Sequence, residues 1–154
     1  MCKHFDADIM YACDWMALDE FKEKIKTLRN QGYQFISLTK AYYHLKKDYF
    51  RRKKYAVLTF DDGYKSLNEV LPWLEEQKIS ATLFINGKYL DGKSYRETPN
   101  EQYLLYGELF ALTSPLIEIG HHGWEHKSAK EMSQEELVDS LQKNIEILSS
   151  HPRY

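Results

Sequence analysis

Apolar positions along the chain fall into two alternating rhythms. In "ALDEFKEKIKTLRNQG" (17–32), Leu18, Phe21, Ile25 and Leu28 recur at helical spacing and Gly32 ends the run, which predicts an amphipathic helix. "YQFIS" (33–37) reads as a short buried strand, and "SLTKAYYHLKK" as a second helix with Ser37 or Thr39 near its cap. "YAVLTF" (55–60) is a continuous apolar strand of the kind a parallel sheet covers on both faces. "SLNEVLPWLEEQ" (66–77) is helical in pattern, with Pro72 expected to kink it or to start a second segment. "ATLFIN" (81–86) is the next strand, 87–100 a polar, turn-rich loop, "EQYLLYGELFALT" a helix, and "PLIEIG" (115–120) a strand. In the last helix, "SQEELVDSLQKNIEILSS" (133–150), Ser133 followed by Glu136 forms a capping box.

Helix and strand therefore alternate, and the strands are apolar on both faces, which argues for α/β units around a parallel sheet. In such sheets chemistry collects at the carboxyl ends of the strands. A length of 154 residues with 43% hydrophobic content suffices for one domain with a real core. The net charge of −2 shows no basic bias, so nucleic acid is not an expected partner. Cys2 and Cys13 are too few and too loosely spaced for a zinc knuckle or a disulfide framework. No apolar run approaches the roughly 20 residues of a membrane span. The start, "MCKHFDADIM", lacks the apolar core of a secretory signal. The expected location is cytoplasmic if Met1 is the natural start, and extracytoplasmic if a signal has been removed.

Two polar clusters interrupt this pattern, both at strand ends. Asp61 and Asp62 follow "AVLTF" directly, and Gly63 gives the backbone freedom to turn away. Successive side chains leave a strand in opposite directions, so the two carboxylates need not share one task. An ordinary Asp-Asp-Gly turn would carry the same letters. The second cluster is "IEIGHHGWEHKS" (117–128), where His122 and His126 are four apart and would share one face of a helical turn. That spacing lets two imidazoles reach one cation at Zn–N distances near ~2.1 Å. His121 would point elsewhere, in a supporting or structural role. Together the clusters offer two neutral nitrogens and a carboxylate oxygen, a recurrent catalytic set for zinc or iron with open positions. The spare carboxylate then has work as a general base.

"LTFDDGY" (58–64) followed by "EIGHHGWEH" (118–126) resembles the polysaccharide deacetylase family, also called the NodB-homology domain or carbohydrate esterase family four. The order of the flanking elements is similar over roughly residues 14 to 150, including Pro72. The resemblance implies a distorted (β/α) barrel, of which about the first half is present, so residues 1–154 form a single such domain truncated on its C-terminal side. Asp61 resembles the family's catalytic base, and Asp62, His122 and His126 its three metal ligands. His121 stands where a small residue, often Ser, is usual. The implied cofactor is a divalent metal, with zinc the default and cobalt, nickel or iron the alternatives. The implied reaction is metal-dependent hydrolysis of the acetamido group of an N-acetylated hexosamine, with an N-acetylated carbohydrate as partner.

The family's later motifs, which supply an arginine and a general-acid histidine, have no counterpart here, and "SSHPRY" matches neither in order. Three outcomes are consistent with that: a fragment of a longer protein, a truncated product, or a chain that covers its open half-barrel by homo-oligomerising. An alternative function is a metal- or glycan-binding portion that needs its missing half from elsewhere, or a related C–N bond hydrolase. Loop residues Tyr89, Tyr95 and Arg96 could wall a sugar subsite. Trp124, between the two histidines, fits packing beneath the site better than stacking on a sugar.

Overall fold

The computed structural model describes residues 16–46, 53–94 and 102–154. Cys2, Cys13, Tyr95 and Arg96 lie outside them. The elements run α1 (Leu18–Asn30), β1 (Tyr33–Phe35), α2 (Leu38–Lys46), β2 (Lys54–Ala56), β3 (Thr59–Phe60), α3 (Leu67–Glu76), β4 (Ala81–Ile85), α4 (Tyr106–Phe110), β5 (Ile117–His121) and α5 (Gln134–Leu148). Every strand pairing between them is parallel: β1 with β2 in one sheet, and β3-β4-β5 in the other. No closed barrel is formed among the described residues; the architecture is mixed α/β and open.

The central strand β4 is buried almost throughout, because α-helices and neighbouring strands cover it on every side. Leu83 and Ile85 join Leu74 of α3, Leu109 of α4 and Leu148 of α5 in a fully buried core. The amphipathic patterns of α1 and α3 are realised, with Ile25 inward from α1 and Leu67, Leu71 and Leu74 inward from α3. Ser37, not Thr39, caps α2: its hydroxyl accepts from the Lys40 amide at 3.2 Å. The Ser133–Glu136 capping box of α5 forms in both directions, at 3.1 and 2.7 Å.

Four expectations need correction. The single strand at 55–60 is divided, its first part pairing with β1 and its second with β4, and Val57 at the break is 37% exposed rather than covered on both faces. Of the two outcomes expected at Pro72, a kink or a second segment, the second does not occur, because α3 continues through it as one helix. Proline cannot donate to the Asn68 carbonyl, but Asn68 is exposed, so water can replace that bond. Residues 87–91 are a short 3-10 helix with Gly87, Tyr89 and Leu90 buried, not a polar loop. The helix expected over 101–113 shrinks to Tyr106–Phe110. The preceding backbone is taken by the turn after β3 instead: Lys65 donates to Gln102 and Leu104 to Gly63, both at 2.9 Å.

Candidate metal centre

The turn that ends β3 is tight and strained. The Gly63 amide donates to the Asp61 carbonyl at 2.8 Å, with Asp62 between them at φ 66°. That is the rarer sense of a three-residue turn, and it costs a non-glycine residue free energy. Gly63 itself has φ 79°, and a Cβ there would meet Ile85 Cδ1 at 2.8 Å, so any other residue would be strained and would displace the Ile85 side chain. The turn separates the two aspartates by environment. Asp61 is exposed, whereas the Asp62 side chain is only 10% accessible and faces the histidine loop.

His122 and His126 lie in an irregular loop after β5, not on a helical turn. Positive φ at Gly123 (82°) and at His126 (54°) folds that loop back on itself. The imidazoles come together with ring centroids 4.9 Å apart, and Asp62 Oδ1 lies 3.4 Å from Nε2 of each. One donor atom from each of the three residues falls within 4.8 Å of the other two. In a tetrahedral shell with bonds of about 2.1 Å, adjacent donors sit about 3.4 Å apart. The two Asp62–His spacings therefore suit a small divalent cation, and two imidazole nitrogens with one carboxylate oxygen suit zinc-like ions.

The loop is held by residues that the sequence motifs did not single out. Asn86, fully buried after β4, donates to the carbonyls of His122 and Gly123. The Lys88 amide donates to Trp124 at 3.1 Å, and the Tyr89 hydroxyl to Glu125 at 3.0 Å. Ser140 of α5 accepts from the Trp124 amide at 2.9 Å. Tyr89 also stacks on Tyr103, which stacks on Tyr64, with centroids 4.6 and 4.9 Å apart. This stack ties the aspartate turn to the histidine loop, so Tyr89 is a buried strut rather than a subsite wall. Trp124 packs against Gly87, where an added Cβ would come within 3.0 Å of its ring. A sequence signal existed for Ser140 and Asn144: two polar residues four apart, in line with Leu148 on the buried face of α5.

His121 points away from the cluster, toward Tyr154 and Asn144. Burial pushes its pKa down, favouring the neutral ring. Near the end of the chain, Ile119 of β5 donates to the Arg153 carbonyl at 2.9 Å, and the Arg153 guanidinium donates to the carbonyls of Pro115 and Ile117. His151 is a buried core histidine bonded to the Leu109 carbonyl at 2.9 Å.

Residues 48–153 match the family model described as polysaccharide deacetylase, and the chain belongs to that family. YxkH of Bacillus subtilis (strain 168), a polysaccharide deacetylase by name, is 27% identical over 126 residues, covering 79% of this chain and 42% of that protein. Among solved structures, the Streptococcus pyogenes deacetylase PplD in complex with acetate superposes with a TM-score of 0.69 at 21% identity, over 86% of this chain and 58% of that one. A de-N-acetylase from Aggregatibacter actinomycetemcomitans gives 0.71 at 17% identity, over 94% and 68% respectively. These likenesses establish the fold, and the chain spans less than half of the curated relative's length. The two open parallel sheets thus correspond to an incomplete barrel of the deacetylase type.

Proposed function

We propose that the chain carries the metal-holding part of a hydrolase that removes N-acetyl groups from acetylated hexosamine sugars or polysaccharides. The observation that carries this reading is the equal 3.4 Å approach of Asp62 Oδ1 to both imidazoles, in a member of this family. Asp62, His122 and His126 would hold the cation, with zinc the default for this donor set and cobalt, nickel or iron the alternatives. When bound, such an ion supplies Lewis acidity toward the acetyl carbonyl and makes water easier to deprotonate.

The chain's own residues then orient the cation and move protons. Asp61, exposed beside Asp62, would accept the proton that water gives up as its oxygen adds to the acetamide carbon. The carbon–nitrogen bond then breaks, acetate leaves, and the proton ends on the sugar's amine. Burial and two facing imidazoles support the cation-holding part for Asp62, and exposure to water supports the proton-accepting part for Asp61.

A second reading rests on the 42% coverage of the curated relative: residues 1–154 are part of one deacetylase domain, binding metal and sugar without completing the reaction alone. Acetate release from N-acetylglucosamine oligomers, measured with zinc-loaded chain, separates the two. Release that Asp61→Asn abolishes, with zinc retained, supports the hydrolase. Zinc binding without release supports the second reading. Loss of zinc in Asp61→Asn would reverse the parts given to the two aspartates.

A further inference from the structure

Two buried carboxamides lie behind the histidine loop, and neither supplies a donor to the cluster. Asn86 Nδ2 donates to the His122 carbonyl at 2.6 Å and to the Gly123 carbonyl at 3.1 Å, committing both amide hydrogens. Its orientation is fixed, because a flipped amide would set Oδ1 against two carbonyl oxygens. Asn144 reaches in from α5. Its Oδ1 accepts from the Gly87 amide at 2.8 Å, and its Nδ2 donates to the Ile85 carbonyl at 2.9 Å and to His121 Nδ1 at 3.3 Å. The same Ile85 carbonyl receives the His122 amide at 3.0 Å. His122 is therefore gripped on both sides of its Cα, at the amide by Ile85 and at the carbonyl by Asn86.

Such a grip matters because the loop has no helix or strand to fix it. Lys88, Tyr89 and Ser140 anchor residues 124 and 125 of the loop; Asn86 anchors 122 and 123. Rotation of this fully buried side chain would strand both amide hydrogens away from water, so the pair of bonds is stiff. Rotation of the His122 backbone would carry its imidazole away from Asp62.

We propose that Asn86 is the positioning residue of the metal centre, setting how tightly Asp62, His122 and His126 hold a divalent cation while contributing no donor atom. Asn144 supports it through Ile85 and Gly87. The inference rests on the metal reading of those three residues and adds the element that preorganises them.

The test titrates chelator-stripped chain with Co²⁺, followed by visible absorption, and with Zn²⁺ by competition. Asn86→Ala should weaken Zn²⁺ binding by roughly 10- to 100-fold and alter the Co²⁺ band. Asn86→Ser, whose hydroxyl restores one donor, should fall between Asn86→Ala and wild type. Leu148→Ala, in the core, serves as the control: it should lower thermal stability of the metal-free chain yet leave Zn²⁺ affinity within about twofold. An Asn86→Ala chain that binds Zn²⁺ as tightly as wild type overturns this inference alone. Should Asn86→Ala fail to fold, Asn86→Ser decides by the same comparison. Wild-type chain that binds neither ion overturns the metal reading and this inference with it.

Discussion

Asp62 Oδ1 and His126 Nε2 meet 3.4 Å apart, and both residues hold left-handed backbone, with φ of 66° and 54°. Each therefore carries about 1–2 kcal/mol of strain that glycine would not. The rest of the fold stabilises them in those positions. A bound cation would give the strain a use, because it would stabilise the folded chain by mass action and only in this geometry.

Replacing His126 with glycine should separate the two effects. Relief of strain offsets the entropy that glycine loses and the lost contacts with Asp62 and His122, so His126→Gly should change the stability of the metal-free chain by less than about 1 kcal/mol. The same change should remove the rise in Tm that zinc gives the wild type. Melting curves with chelator and with zinc check both halves. A metal-free His126→Gly chain more than about 2 kcal/mol less stable than wild type would contradict the strain account.

Gly87 is the point where the loop, α5 and the start of the 3-10 helix crowd together. A Cβ there would meet Asn144 Oδ1 at 2.5 Å and Trp124 Cζ3 at 3.0 Å. Its φ is not in the left-handed region, so the penalty is steric. Gly87→Ala should destabilise the chain by about 1–3 kcal/mol, measured by urea unfolding. It should also weaken zinc binding, since Asn144 must shift. Unchanged stability would show that Trp124 moves aside freely.

Much of this was legible in the sequence, for physical reasons. Helices α1 and α5 announced themselves through helical periodicity and a capping box, both local properties. The site residues stood out because two carboxylates and a pair of histidines are costly at the ends of buried strands. The rest depended on contacts between distant segments. The 102–104 backbone paired with the turn after β3 instead of extending α4, and nothing local in "EQYLLY" encodes that choice. His122 and His126 satisfied a helical spacing, yet Gly123 and four anchoring residues bent them into a loop. Asn86 looked like the polar end of a strand, and its two carbonyl partners lie on another one's loop.

Glu118 should give the fold a pH dependence outside the centre. Burial alone would raise its pKa, but hydrogen bonds from Ser37, Thr39 and Thr82 outweigh it, and the carboxyl sits below its ordinary value of 4.5. A lowered folded-state pKa means that the unfolded chain binds the proton more readily. This stabilisation is present above the ordinary glutamate value and is lost as pH falls through the lower folded one. Unfolding midpoints taken from neutral pH to about pH 3 should fall less steeply in Glu118→Gln than in wild type. Equal slopes would remove Glu118 from the account.

The central claim is that Asp62, His122 and His126 together hold one divalent cation. Elemental analysis of chain exposed to zinc and then dialysed tests it most directly, with a His122→Ala, His126→Ala double variant alongside. The account predicts near-stoichiometric zinc in the wild type and none in the double variant. A mere trace in the wild type, or equal zinc in both, would contradict it.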